Sequence, residues 1–236
     1  MDTIGPNNEQ TVKEPGMTLP GAGDRTIIVG QTGSGKTWFG VWLLSHMDYD
    51  RRPWLVIDYK RETLFQQLGR HSFRSLLDSG AAAPKKPGLH LMQPLESDDE
   101  AVDAFLWRVW QRGNCGIYID EAMMVPAGRG SAIRSILTQG RSLRVPVIAL
   151  SQRPVEIDRY FFSEAQFFAE FFLMDRDDRV TLKRYTPFQP DEIPDRYHCF
   201  WYDSRARKTS YLLPVPDSGT FLKRLQNKAP RRLWFG

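Results

Sequence analysis

The sequence predicts an α/β fold, a mostly parallel sheet flanked by helices on both faces, with a β-hairpin added near the carboxyl end. Short apolar runs alternate along the chain with longer helical segments. A glycine-rich stretch joins the first such run to the first helix. Two strand-like runs, His198–Tyr202 and Thr209–Leu213, flank a polar turn at Asp203–Arg207, and they supply the hairpin.

The elements follow in order. Residues 1–24 are rich in Gly, Pro, Asn and Glu, which predicts a flexible arm. Thr26–Val29 is β-branched and ends in glycine, so it reads as a buried strand. Thr37–Met47 is apolar nearly all round, as in a helix packed inside a core. Trp54–Ile57 is a second strand, Glu62–Leu77 a helix, and Asp78–Gly88 a loop. His90–Met92 reads as a strand. Ser97-Asp98-Asp99-Glu100 has the spacing of a capping box and opens a helix through about Arg112. Gly116–Ile119 is a strand, Ser131–Leu143 a helix, and Val147–Leu150 and Phe167–Leu173 are strands. The domain reading is an arm over 1–24, one domain with its hairpin over 25–215, and a basic tail over 216–236.

Composition narrows the function class. The formal net charge is +4, yet residues 179–236 hold 12 Lys/Arg against 5 Asp/Glu and so carry +7, on a body of −3. A basic carboxyl quarter suits a polyanion partner, and equally a solvated surface. The two cysteines lack a CxxC spacing and the four histidines lack metal-ligand spacing, which argues against a metal cage and for a reducing compartment. No run approaches 18 apolar residues and the start has no signal-peptide pattern, so the expected location is cytoplasmic.

Gly30-Gln31-Thr32-Gly33-Ser34-Gly35-Lys36-Thr37 matches GxxxxGK[ST] between a strand and a helix. Glycines let backbone N–H groups curl onto phosphates, and the helix turns its positive end to the same anion. Lys36 would reach the β- and γ-phosphates, and the Thr37 hydroxyl would hold Mg²⁺. The expected ligands are therefore ATP and Mg²⁺.

Gly116–Ile119 ends in Asp120-Glu121. Carboxylates at the carboxyl end of a parallel strand lie beside the phosphate loop. Asp120 would hold Mg²⁺ through water, and Glu121 would act as general base toward the attacking water. This pair favours an ATPase with its own base over a nucleotide kinase or GTPase. Asp58 also ends a strand, either as a contact to the site or as an ordinary turn aspartate.

Together, the phosphate loop, Asp58–Glu62, Asp120-Glu121, and Gly140-Arg141 followed by Ser151-Gln152-Arg153-Pro154 resemble the HerA–FtsK superfamily of P-loop DNA-pumping ATPases. The small size resembles the genome-packaging ATPases of certain viruses. The resemblance spans about Thr26 to Asp178, and GRSLRVPVIALSQRP is its most discriminating stretch. It implies a RecA-like (ASCE) core. Gln152 is then the polar sensor of the γ-phosphate, and Arg141 occupies the arginine-finger position, with Arg144 and Arg153 as weaker candidates. Val145-Pro146 departs from the small Gly-containing turn common in relatives, and there is no sizeable extra domain.

The function so implied is translocation of double-stranded DNA by a homo-oligomeric ring, packaging a viral genome into a preformed capsid. Capsid or portal vertex proteins are the expected partners, with location in the host cytoplasm or at the packaging vertex. Filamentous-phage assembly, conjugative transfer and a nucleotide-regulated assembly role without motor activity are the alternatives. Lys85, Lys86 and Arg129 are candidate DNA contacts, as are the tail cations, Lys223 to Arg232. Trp234 and Phe235 would dock the tail on a neighbour.

Overall fold

A computed structural model describes residues 17–67, 73–75 and 82–228. Its centre is a nine-stranded sheet in the order β3-β4-β2-β5-β6-β1-β7-β8-β9. The strands are β1 (Arg25–Val29), β2 (Pro53–Ile57), β3 (Phe73–Ser75), β4 (Gly88–Met92), β5 (Gly116–Ile119), β6 (Val147–Ser151), β7 (Phe167–Glu170), β8 (Cys199–Asp203) and β9 (Lys208–Leu212). Strands β1 to β7 pair in parallel; β8 runs antiparallel to β7, and β9 to β8.

The central strands are buried along their whole length because helices cover both faces, which is why they read as continuous apolar runs. On one face lie α1 (Lys36–Ser45), α2 (Thr63–Gln67) and α7 (Ser218–Lys228), packing Phe39, Leu43, Phe65, Phe221 and Leu225 against Ile28, Tyr118 and Ile148. On the other lie α3 (Asp99–Arg112), α4 (Ala132–Gln139), α5 (Tyr160–Ser163) and α6 (Arg176–Lys183), with Phe105, Ile133, Ile136, Phe161 and Leu182 over Ile27, Ile117 and Ala149.

The strand order matters for the site. Strand β6 lies between β1, which leads into the phosphate loop, and β5, which carries Asp120-Glu121. The carboxyl ends of β1, β5 and β6 therefore open on one edge, the ASCE arrangement that the resemblance implies.

Several elements differ from expectation. The helix expected over 62–77 shortens to α2, because Phe73–Ser75 adds to the sheet edge beside β4 and strand pairing overrides helix propensity. The Ser97 capping box does not form. Ser97 lies inside a 3-10 turn, Glu96–Asp98, and the Asp98 carboxylate accepts the Leu95 N–H at 2.8 Å. The helix expected to reach Leu143 stops at Gln139. Val145 N–H returns to the Gly140 carbonyl at 2.8 Å, leaving Arg141–Arg144 in an exposed turn. The strand expected to reach Leu173 ends as a regular strand at Glu170.

Residues 218–228, assigned above to a basic tail, form α7. Phe221 and Leu225 are buried on α1, each contributing about 2 kcal/mol by area removed from water. Most of the arm (1–16) and the tail's Arg231, Arg232, Trp234 and Phe235 lie outside the described residues.

Candidate active site

The phosphate loop leaves β1 with Gly30 N–H bound to the Ser151 carbonyl (3.1 Å) and Gln31 N–H to the Phe172 carbonyl (2.9 Å). Both neighbouring strands thus anchor it. Gly35 has φ +102°, a left-handed conformation that brings the loop round to Lys36, and the Tyr197 ring packs over it. Helix α1 then opens with no side-chain cap and no acidic residue in its first turn. Its N–H groups and dipole face the loop without an internal anion, which is the condition of an anion site.

Lys36 is 4 % exposed, and among the described residues no carboxylate pairs with it within salt-bridge distance. Burial pushes its ammonium down to about 8, with the Lys60 ammonium adding to the effect and Glu121, Glu62 and Asp120 opposing it. A buried cation in this state is stabilised by a multivalent anion. The cavity beside it has a volume of about 780 Å³. Thr32, Lys36, Thr37, Lys60, Glu62 and Gln152 form its polar lining; Trp38, Phe171, Tyr197, Leu213, Pro214 and Val215 form its apolar lining.

Asp120 and Glu121 follow β5, and both are buried. The Asp120 carboxylate accepts the N–H groups of Tyr59 (3.0 Å) and Lys60 (3.1 Å). Burial pushes this carboxyl up, the neighbouring Asp58 adds to the shift, and the two N–H groups oppose it. Asp58 thus stands next to the site residue. Its own oxygens accept Glu62 N–H (3.0 Å) and Gln93 Nε2 (2.8 Å), so it also orders the turn after β2.

Glu121 Oε2 is paired with Lys60 Nζ and accepts Gln152 Nε2 at 2.9 Å. Gln152 Oε1 in turn accepts the Thr32 hydroxyl. A continuous chain, Thr32–Gln152–Glu121–Lys60, therefore joins the phosphate loop, β6, β5 and the end of β2.

Most of the expected site residues come together here: Gly30 to Thr37, Asp120, Glu121 and Gln152. Arg141 does not join them. It lies in the turn before β6, with its backbone against Gly23 ahead of β1, on the amino edge of the sheet. Arg144 is in the same turn. Arg153 is turned away into ion pairs with Asp178 (3.1 Å) and Asp175 (3.2 Å).

The sequence reading missed Lys60 and the apolar wall. Lys60 stood two residues past a strand-end acid, a visible signal. Tyr197, with φ +65°, and Leu213–Val215 reach the cavity only through tertiary packing and carry no local motif.

No protein-family model matches the sequence. The chain is 35% identical over 219 residues to the DNA packaging ATPase P9 of Enterobacteria phage PRD1, covering 88% of this chain and 94% of P9. Its fold is similar to that of the genome packaging NTPase B204 of Sulfolobus turreted icosahedral virus 2, solved with AMPPCP, at TM-score 0.63 and 16% identity over 83% of this chain and 100% of that one. It is also similar to the EccC ATPase domains of Thermomonospora curvata, at TM-score 0.57 and 12% identity over 90% of this chain and 43% of that one. Among the described residues no helix is long and apolar enough to cross a membrane. With the phosphate loop, the Asp-Glu strand and Gln152 assembled on this fold, the chain is an ATPase and belongs to the family of viral DNA-packaging ATPases.

Proposed function

We propose that this chain hydrolyses ATP in the cavity at the carboxyl edge to drive double-stranded DNA into a viral capsid. The observation that carries the reading is Gln152, which bridges Thr32 of the phosphate loop and Glu121 of the acid strand. One side chain thus senses both the phosphate end and the base.

Loop N–H groups and Lys36 hold the β- and γ-phosphates. Glu121 takes a proton from water as the water oxygen attacks the γ-phosphorus; the bond to the β-phosphate oxygen breaks, giving ADP and phosphate. Trp38, Tyr197 and Leu213–Val215 form the apolar wall that would receive the nucleotide base. Mg²⁺ fits the donor set. Asp120 and Asp58 are two buried carboxylates side by side, a charge density that a divalent cation relieves. Among the described residues no cluster of three or more His, Cys, Asp or Glu makes a protein cage. Thr37 and Asp120 would thus hold Mg²⁺ together with phosphate oxygens and water, where it would neutralise charge on the transferring group.

DNA as the cargo is supported by the likeness to P9, and capsid or portal proteins are the partners this reading calls for. The reading is tested by measuring ATPase rate against protein concentration, with and without double-stranded DNA. A rate that rises with both supports an oligomeric DNA motor. A rate indifferent to DNA at every protein concentration refutes it.

A further inference from the structure

Lys60 is not used by the chemistry above. It follows β2 on the carboxyl edge, and its Nζ is paired with Glu121 Oε2, the oxygen that also accepts Gln152 Nε2. The Glu121 side chain is 3 % exposed and that of Lys60 30 %. Lys60 also lines the cavity, with Thr32, Lys36 and Gln152. One ammonium group therefore faces a buried carboxylate on one side and a polyphosphate-sized cavity on the other. Lys60 and Gln152 both bond Glu121 Oε2, so the ammonium and the amide bracket the proposed base.

We propose that Lys60 is a positioning residue shared between two anions: it holds Glu121 when no triphosphate is present, and transfers to the terminal phosphate when one binds. Triphosphate binding and release of Glu121 are then one event. The proposal rests on the reading of the cavity as the nucleoside triphosphate site. A diphosphate lacks the terminal group and does not draw Lys60 away, so the enzyme tells its substrate from its product through this side chain.

Competition for one cation makes the two anions thermodynamically coupled, and the coupling is reciprocal. Removing the charge of Glu121 frees Lys60, so it should tighten triphosphate binding more when Lys60 is present than when it is absent. The experiment is a binding cycle, by calorimetry at fixed salt, of a non-hydrolysable ATP analogue and of ADP to the full chain and its Glu121→Gln, Lys60→Met, Lys60→Arg and Lys60→Met/Glu121→Gln variants. Glu121→Gln is expected to tighten the analogue about tenfold and to leave ADP within about twofold. The double variant should lose that gain, and Lys60→Arg should keep the preference for triphosphate.

If Lys60→Met, which leaves a buried carboxylate unpaired, does not fold, comparing the double variant with Glu121→Gln alone still tests whether Lys60 reaches the terminal phosphate. Analogue binding as tight in the double variant as in Glu121→Gln overturns the proposal, as does equal tightening of ADP or no tightening at all. Turnover of Glu121→Gln is read separately. A wild-type hydrolysis rate there removes Glu121 as the base, while the binding cycle still decides Lys60.

Discussion

Gly30 shows how little space the phosphate loop has. A Cβ there would lie 2.6 Å from Phe171 Cβ and 2.6 Å from Ser34 Oγ, closer than real contacts allow. Gly30→Ala must displace either the β7 exit or the loop, and overpacking of this kind costs about 1–3 kcal/mol. We expect a lower melting temperature and at least about tenfold weaker binding of an ATP analogue, measured by calorimetry; unchanged affinity would show that the loop is not seated as described. Glu170 is a second residue-scale case. It ends β7 at 2 % exposure, and burial pushes its carboxyl up to about 8 against the opposing pull of Arg179. The folded chain thus keeps a proton that the unfolded chain releases near pH 4.3. Between about pH 4.3 and 8 the folded state binds more protons, so stability falls as pH rises, by about 1.4 kcal/mol per pH unit from this group, and levels off above. Glu170→Gln is expected to flatten that slope and raise the melting temperature at pH 8; an unchanged pH profile of melting would disprove the assignment.

At the scale of elements, β6 is tied to α6. Arg153, the residue after Gln152, pairs with Asp178 and Asp175, and Asp178 accepts the Val155 N–H at 3.0 Å. Asp178 is 1 % exposed, so removing Arg153 leaves a buried carboxylate short of a partner. Arg153→Ala is expected to destabilise the chain by about 1–3 kcal/mol in urea unfolding, and adding Asp178→Asn should recover most of the loss. Additive losses would mean the two side chains are not coupled. Arg153 could not be placed from sequence because its partners lie over twenty residues away and no short motif links them. The strands, by contrast, were legible: a parallel strand buried on both faces is apolar at every position. Helix α7 was not, because the exposed Lys223 and Arg224 masked the apolar spacing of Phe221, Leu222 and Leu225 within a run that reads as charged. The phosphate loop and Asp120-Glu121 were legible because their chemistry demands adjacent residues. Lys60 and Tyr197 join the site from other strand ends, and only the sheet order brings them there.

Over the whole molecule, the two edges of the sheet have different roles. Phosphate loop, acids and Gln152 gather on the carboxyl edge, whereas Arg141 and Arg144 lie on the amino edge, one full strand away. Strand β6, with five residues, spans about 16 Å, more than an arginine side chain covers. Arg141 therefore does not reach the phosphate site of its own chain; we propose that, if it serves as a finger, it does so on a neighbouring copy through a head-to-tail contact. The carboxyl edge suits such a contact. Leu95, Met123, Val155 and Met174 follow β4, β5, β6 and β7, and all are exposed large apolar side chains. The test is complementation between two inactive variants. Arg141→Ala should bind nucleotide but lose turnover by about 10³-fold or more, and Lys36→Ala should lose nucleotide binding. In an equal mixture of the two, about a quarter of the contacts join an intact site on one chain to an intact Arg141 on the other, so ATPase activity should return to roughly that fraction of wild type. An inactive mixture, with mixed oligomers verified by mass, would exclude the finger role of Arg141.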